Sequence, residues 1–212
     1  MKKQIVTAII AGVICMPSMA MLDLDLYTGI DYRTTTTSHY YSGSDNTDLK
    51  DTNNLSGYLA IEHFIPLLPN AKLKYSDLST KTTGDSNSTE GSASNAILYY
   101  QLFDNGLFEF DLGLAYTRVE TDFQNLTSDL AQAYVAAKLF VPGTGIHAFT
   151  EVVTGSVTND KATDAEFGLA YTFNPDSIVN LAVRTGYRFQ DATIGEFEQE
   201  NKGLFAGLAL HF

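Results

Sequence analysis

The sequence predicts an all-β fold, a transmembrane antiparallel up-and-down β-barrel of ten strands, on three observations. Apolar residues recur at every second position along most of the chain. Short, turn-rich links alternate with longer polar links. No apolar run reaches the 18 or more residues that a membrane-spanning helix needs. This combination is typical of a barrel that crosses a membrane with strands. Eight strands are the alternative, if two of the weaker segments are folded loops.

The first twenty of the 212 residues predict a secretory signal peptide that is removed from the mature protein. Lys2 and Lys3 form a basic start, an apolar stretch follows over 5–16, and small residues precede a cleavage site near Ala20. We expect the barrel to occupy residues 21–212. The only cysteine, Cys15, leaves with the signal peptide, so disulfides are excluded from the mature chain.

Period-two alternation marks each predicted strand in turn. In the first segment Leu24, Leu26 and Ile30 share one face, while Asp25 and Asp31 share the other. Seven segments show the pattern clearly: 22–32, 55–65, 107–119, 130–141, 164–173, 179–190 and 202–212. Three weaker segments complete the ten: 71–79, 95–102 and 146–156.

The links between these segments also alternate, in length and in composition. The short ones are turn sequences such as Asp104-Asn105-Gly106 and Pro142-Gly143-Thr144-Gly145, which favour tight hairpins. The longer ones are rich in Ser, Thr, Asn, Asp and Gly, and we expect them to be loops: 34–54, 80–94, 120–129, 157–163 and 191–201. An even strand number places both chain ends on the side of the short links, the periplasmic side of an outer-membrane barrel.

A secreted β-sandwich or a lipocalin-like barrel would also alternate, with the apolar face inward. Two features favour the membrane barrel instead. The polar face contains many Gly and Ala beside its charges, which suits a narrow lumen. The apolar face collects aromatic residues near both strand ends, as expected of two girdles at the bilayer interfaces. The predicted girdles are Tyr32, Tyr116, Tyr187 and Phe189 at the loop ends, and Tyr100, Phe108, Tyr171, Phe173 and Phe212 at the turn ends.

These features predict an integral outer-membrane protein of a Gram-negative bacterium. We expect its partners to be outer-membrane lipid and lipopolysaccharide, and the outer-membrane assembly machinery, which would recognise the C-terminal Phe212 with Leu210 and Leu208 before it. The net charge of −12, from 13 Lys and Arg against 25 Asp and Glu, excludes a nucleic-acid-binding role. We expect a monomer.

Several stretches resemble a family of small outer-membrane β-barrels named for occurring in genomes that also encode GlyGly-CTERM proteins. The most specific is the run from Glu62 through Pro66-Leu67-Leu68-Pro69-Asn70 to Tyr75-Ser76-Asp77-Leu78. Asp111-Leu112-Gly113-Leu114 and the C-terminal stretch from Gly203 to Phe212 are similar as well. Phe64 stands where that family often has proline. The resemblance implies a fold and a location, and no activity.

The inward face of the barrel carries the candidate functional residues. They are acids and bases that we expect to form a lumen charge network: Asp25, Glu62, Lys72, Lys74, Glu109, Asp111, Lys138, Glu151, Glu166, Arg184 and Arg188, with Asp164 beside them. Charges in a narrow interior need partners, so the first interpretation is an ion-pair network that fills and stiffens a structural barrel. The second is a narrow, porin-like channel, for which the acidic excess would favour cations. A surface-binding or adhesion module acting through long polar extracellular loops is the alternative.

We do not expect an enzyme, a cofactor or a metal site. The sequence contains no serine-nucleophile motif, phosphate-binding loop or metal-ligand cluster. A hydrolase at the outer rim would have to use His39, which shares the first long link with Asp45, Asp48 and Asp51. Their spacing follows no catalytic pattern, and a solvated loop is the better interpretation. The loop aspartates carry the oxygen ligands that Ca²⁺ prefers, but their spacing does not match an EF-hand loop.

Overall fold

The regular structure of the described residues is β-sheet. The computed structural model describes residues 24–41, 47–50, 52–82, 88–122, 125–175 and 177–212, with side chains described for all of these except 38–41, 47–50, 81–82 and 88–89. Within these ranges no helix is long and apolar enough to cross a membrane. The strands are β1 (Leu24–Tyr41), β2 (Thr47–Lys50), β3 (Thr52–His63), β4 (Asn70–Asp77), β5 (Thr80–Thr82), β6 (Ser88–Thr89), β7 (Gly91–Asp104), β8 (Phe108–Thr121), β9 (Leu126–Phe140), β10 (Ile146–Val157), β11 (Asp160–Phe173), β12 (Asn180–Ile194) and β13 (Phe197–His211).

Ten of these strands close into an antiparallel barrel. Their order around the ring is β1, β3, β4, β7, β8, β9, β10, β11, β12 and β13, and β13 pairs with β1 to complete it. The closing seam runs from Tyr27 opposite His211 to Tyr41 opposite Phe197. Closure pairs the polar backbone groups along every strand edge, which an open sheet leaves unpaired. The ten-strand prediction is confirmed, because the three weaker segments form β4, β7 and β10.

Short links join the strands at one end of the barrel, which we call the turn end. Both ends of the described barrel strands, Leu24 and His211, also lie here. The four connections at this end follow β3, β7, β9 and β11, where turn sequences were expected. Gly106 and Gly143 have φ values of 72° and 73°, and their Cβ positions face open space. Glycine is therefore favoured at both turns by backbone conformation.

The opposite end, the loop end, differs from the sequence prediction. Three of the five links expected to be long are tight: β8 reaches β9 through 122–125, β10 reaches β11 through 158–159, and β12 reaches β13 through 195–196. The polar residues of these segments continue the strands, because their inward side chains hydrogen-bond inside the barrel. Thr37, for example, donates to the side chain of Asn201 at 2.7 Å.

The other two expected loops are also partly strand. β1 extends to Tyr41, and its far end pairs with β2, with His39 opposite Thr47. β2 pairs with β5, and β5 pairs with β6. The three short strands therefore form a small sheet beside the far end of β1, which itself stays paired with β13 up to Tyr41 opposite Phe197.

The outer wall carries an apolar belt flanked by aromatic residues. On β8 the belt runs from Phe108 to Tyr116, and the alternate residues between them are Phe110, Leu112 and Leu114, of which the two leucines are exposed. Beyond Tyr116, the outward positions on β8 and β9 become polar or charged. Arg118 lies there, with its Nε atom 2.9 Å from Oε1 of Glu120. The belt on β8 is nine residues long, which matches the nine to eleven residues of a strand that crosses a bilayer at a tilt.

The structure places the predicted girdle residues at two levels. Those toward the loop end on the outward face are Tyr32, Tyr116, Tyr187 and Phe189, and those toward the turn end are Tyr100, Phe108, Tyr171 and Phe173. Phe212 ends the chain at the turn end, where its backbone N–H and C=O both bond to Leu26, at 3.0 and 3.1 Å.

Candidate functional site

Period-two alternation places charged side chains of eight barrel strands inside the barrel: β1, β3, β4, β8, β9, β10, β11 and β12. Eight of these side chains meet near its middle, in a set that we call the central charge cluster: Asp31, Lys72, Lys74, Glu151, Asp164, Glu166, Arg184 and Arg188. The cluster contains four acids and four bases. A balanced set of buried charges avoids the large cost of an unpaired ion in a low-dielectric interior.

Lys74 connects opposite walls of the barrel. Its Nζ atom lies 2.8 Å from Oε1 of Glu151 and 3.1 Å from Oε2 of Glu166. Strands β4 and β11, which carry Lys74 and Glu166, are five positions apart in a ring of ten. They therefore face each other across the full width of the lumen. Lys72 adds a second contact to Glu151, on its other carboxylate oxygen.

Arg188 is the most completely bonded member of the cluster. Its guanidinium binds the carboxylate of Asp164 through two nitrogens, with Nε 2.7 Å from Oδ1. It also donates to the hydroxyl oxygens of Ser56 at 2.9 Å and Ser76 at 2.8 Å. The Arg188 side chain is only 1% exposed. A two-pronged arginine–carboxylate pair is among the strongest and most directional polar contacts, so this group fixes strands β3, β4, β11 and β12 together.

Arg184 fills the space on the turn side of Arg188. Its Nη2 atom lies 2.5 Å from Oε1 of Glu166, and its Nε atom lies 3.1 Å from Oδ1 of Asp31. The guanidinium also lies over the rings of Phe149 and Phe205, at 4.5 and 5.2 Å from the centroids. Such contacts stabilise a buried cation through the ring quadrupole.

On the loop side of the cluster, polar and then apolar side chains continue to fill the lumen. Arg33 donates to Oε1 of Gln190 at 2.5 Å. Above it lies a buried apolar cluster: Leu78, Ala93, Val119, Leu130, Ala162 and Ile194. The gap at this level measures only about 30 Å³. The apolar inward cluster was not predicted, although the inward register of Val119 follows from the alternation of its strand.

On the turn side of the cluster lies a larger space, which we call the turn-end cavity. Its volume is about 360 Å³. Its walls carry the aromatic residues Tyr27, Tyr99 and Tyr134, and its lining reaches Pro175 and His211 at the turn end. Because the central charge cluster closes its inner side, the cavity is blind and opens toward the turns.

Four charged residues outside the central cluster line this cavity. Glu62 accepts a hydrogen bond from the Tyr99 hydroxyl at 2.7 Å. Glu109 pairs with Nζ of Lys138 at 2.6 Å. Asp111 is 7% exposed, and its Oδ1 atom has no hydrogen-bond partner among the described residues. The arrangement therefore leaves one buried acceptor unused.

The eleven residues of the predicted lumen network divide into three groups. Six meet in the central cluster: Lys72, Lys74, Glu151, Glu166, Arg184 and Arg188. Four line the turn-end cavity: Glu62, Glu109, Asp111 and Lys138. Asp25 lies at the turn end with its side chain 54% exposed, 3.0 Å from Nε2 of His211. The sequence indicates Asp31 only by its place on the polar face of the first strand.

Other candidate sites lie partly outside the described residues. The signal peptide over 1–20 lies there, as do Asp45 and Asp51. The backbones of His39 and Asp48 belong to β1 and β2. Within the part of the chain that the structure describes, no group of three or more His, Cys, Asp or Glu side chains is placed to hold a metal ion.

Comparisons with known proteins find similarity at the level of solved structures. No protein-family model and no curated protein matches the sequence, so the family resemblance above stays a prediction. Ail, the attachment invasion locus protein of Yersinia pestis, is 9% identical over 88% of this chain and 98% of its own, with a TM-score of 0.33. The outer membrane protease OmpT from Escherichia coli is 7% identical over 89% and 96%, with a TM-score of 0.40. Neisserial surface protein A (NspA) is 13% identical over 87% and 95%, with a TM-score of 0.37. No activity is transferred from structures this distant; the barrel is established by its strand pairing.

Proposed function

We propose that this protein is an integral outer-membrane β-barrel whose lumen is closed by its own side chains. The membrane location is supported by the outer wall. Exposed Leu112 and Leu114 lie between aromatic residues, and a solvated wall would gain nothing from such a belt. Charged outward residues begin only beyond it, at Arg118 and Glu120.

The orientation in the membrane follows from the two ends. Outer-membrane barrels have short periplasmic turns, so the turn end faces the periplasm. The signal peptide provides export, and lipid and lipopolysaccharide surround the belt. Phe212, whose backbone completes the seam beside Leu26, provides the proposed recognition element for the assembly machinery. This arrangement also leaves the turn-end cavity facing the periplasm.

The ion pairs that span the lumen are the observation that supports a structural barrel over a channel. Lys74 bridges Glu151 and Glu166 across the full width of the barrel. A permeating ion would have to displace a buried, balanced set of ion pairs, and each uncompensated buried charge costs several kcal/mol. The interior of a ten-strand barrel is narrow, since barrel diameter grows with strand number, so the ion pairs occupy much of its width. We therefore propose that the protein has a structural role and does not conduct ions.

The test is conductance of the refolded full-length barrel in a planar bilayer. Folding is checked first by heat-modifiable gel migration. An open porin inserted in the same bilayer is the positive control. We expect no reproducible opening from the folded protein. Stepwise, cation-selective openings would overturn the closed lumen and favour the narrow channel.

A second candidate function, a surface-binding module, is favoured by the length of β1. This strand continues nine residues past Tyr32 to Tyr41, or about 30 Å along the strand. With β2, β5 and β6 it forms a projection at the proposed extracellular end. The tight links at 158–159 and 195–196 limit any such surface to this one side of the rim.

Part of the projection, the far end of β1 and all of β2, can be removed while most of the barrel pairing is kept. Joining Thr37 to Thr52 through Asn-Gly deletes 38–51. The pairing of β1 with β3 from Leu24 to Thr35 is retained, and the pairing with β13 is retained from Tyr27 to Thr37. Adherence to polystyrene and cell–cell aggregation are compared for cells producing either form at equal surface levels. A binding module predicts a loss of adherence. Equal adherence rejects this candidate and leaves the structural role.

A further inference from the structure

We propose that the turn-end cavity binds a small organic cation, a protonated primary amine attached to an apolar body. This proposal goes beyond the structural role above. It does not require the lumen to conduct, because the cavity is blind and opens at the turn end. Three features of the cavity support it: an unused carboxylate oxygen, an excess of acid, and aromatic walls.

The unused oxygen belongs to Asp111. This residue lies on β8 with its side chain directed inward and is 7% exposed. Its Oδ1 atom has no hydrogen-bond partner among the described residues. A buried carboxylate oxygen left without a donor loses its hydration and gains nothing in return. An ammonium group placed in the cavity supplies both the missing donor and the missing charge.

The charges of the cavity wall outside the central cluster are not balanced. Three carboxylates line it, those of Glu62, Glu109 and Asp111, against the single ammonium of Lys138. Lys138 is paired with Glu109, with Nζ of the lysine 2.6 Å from Oε2 of the glutamate. The two bases of the central cluster that also line the cavity are paired within the cluster, Lys72 with Glu151 and Arg184 with Glu166. Two cavity carboxylates remain without a paired base. Glu62 accepts a hydrogen bond from a tyrosine hydroxyl, and the other is Asp111. The wall therefore favours a cation over an anion.

The walls suit an apolar body attached to that cation. Tyr99 and Tyr134 lie with their ring centroids 5.4 Å apart, and Tyr27 lines the same space. Aromatic faces attract alkyl and aryl ammonium groups through dispersion and cation–π contact. The volume of about 360 Å³ falls within the range of about 300 to 1,000 Å³ for small-molecule sites.

A metal ion fits the cavity less well than an organic cation. A divalent cation needs several converging oxygen ligands. No group of three or more acidic or histidine side chains in the described part of the chain is placed for this. Asp111 instead offers a single oxygen beside aromatic surface, which is the pattern that recognises one ammonium group.

The test uses three probes of similar shape on the refolded full-length barrel in detergent micelles: benzylammonium, neutral benzyl alcohol and anionic benzoate. Saturation-transfer NMR titrations at pH 7 give each dissociation constant. We expect saturable binding of benzylammonium, at least about tenfold weaker binding of benzyl alcohol, and no binding of benzoate, because a charged hydrogen bond accounts for about tenfold or more in affinity. Equal affinities for the three, or no saturable benzylammonium binding, would overturn the proposal.

The role of Asp111 is tested with Asp111→Asn, which keeps the shape and removes the charge. We expect benzylammonium affinity to fall at least about tenfold. The matched control is Asp129→Asn, an outward-facing aspartate whose side chain is 46% exposed, and it should bind as the unmodified protein does. Unchanged affinity in a folded Asp111→Asn protein would reject the assignment. If this variant does not fold, as judged by heat-modifiable migration, the three-probe series alone decides.

Discussion

Lys74 and Glu166 face each other across the full width of the barrel, with Nζ of the lysine 3.1 Å from Oε2 of the glutamate. The two residues are 92 positions apart in sequence, on strands that share no edge. The same ammonium also contacts Glu151 at 2.8 Å. One lysine therefore ties three strands together through the interior, in addition to the backbone pairing around the wall.

We predict that Lys74→Met lowers the free energy of unfolding by about 3–5 kcal/mol, because it leaves buried carboxylates with one base too few. Urea titration in detergent micelles, followed by gel migration of unheated samples, measures this. The control is Lys161→Met, a side chain 54% exposed and 4.0 Å from its partner Asp191, for which we expect a change within about 1 kcal/mol. Adding Glu166→Gln to Lys74→Met restores the charge balance and should recover part of the loss. No recovery would contradict the ion-pair account.

A second prediction concerns the apolar belt. Leu112→Arg places a charge at the middle of the belt on β8, and we expect it to destabilise the folded protein in lipid vesicles by about 2–4 kcal/mol. Thr127→Arg is the control, because Thr127 lies on β9 beyond the belt, opposite Glu120, and should cost at most about 1 kcal/mol. The measurement is the urea dependence of folding in vesicles. Similar costs for the two variants would contradict a membrane-embedded belt.

A third prediction concerns the seam that closes the ring. A Cβ atom added at Gly203 on β13 would lie 1.7 Å from the backbone oxygen of Thr34 on β1, so the two strands would have to separate. We expect Gly203→Ala to destabilise the barrel by about 1–3 kcal/mol. At Gly57 the nearest atom to an added Cβ is 3.2 Å away, so Gly57→Ala should cost less. Urea midpoints of the two variants provide the comparison, and the reverse order would contradict the close approach at the seam.

A fourth prediction is stabilising. Thr158, in the two-residue link between β10 and β11, has a φ of 56°, a conformation that β-branched residues rarely adopt. Asparagine tolerates it better. We expect Thr158→Asn to raise the free energy of unfolding by about 1 kcal/mol. Ser156→Asn, at an exposed position on the adjoining strand, should change stability by no more than about 0.5 kcal/mol. A destabilised Thr158→Asn protein would show that the threonine makes a contact that outweighs its backbone strain.

The charge network illustrates how far the sequence leads. Alternation identified Lys74, Glu151, Glu166 and Arg188 as inward residues, since the side-chain period of a strand is two whatever the strand pairs with. It did not identify which of them meet. Contact between Lys74 and Glu166 depends on closure of the ring and on the stagger between strands, and neither is written in any single segment.

At the loop end, a prediction made from composition was wrong. Polar and charged residues make up seven of the eleven positions in 191–201 and suggest a long loop, yet the strands run on to Ile194 and restart at Phe197. Inward polar residues are disfavoured in strands when their side chains find no hydrogen-bond partner. Here the barrel interior provides one, since Asn201 accepts from Thr37 at 2.7 Å.

The sequence by itself determined the two faces of each strand and the turn positions, because these follow from local periodicity and turn chemistry; it favoured ten strands and left eight as the alternative. Only the tertiary structure showed that Lys74 bridges Glu151 and Glu166 across the middle of the lumen, that the apolar cluster around Leu130 lies on the loop side, and that a cavity lined by Asp111, whose Oδ1 atom has no partner among the described residues, lies on the turn side. The physical reason is that a closed barrel brings together side chains from strands that share no edge, so the filling of its interior is fixed by the size of the ring and by the charges that balance across it.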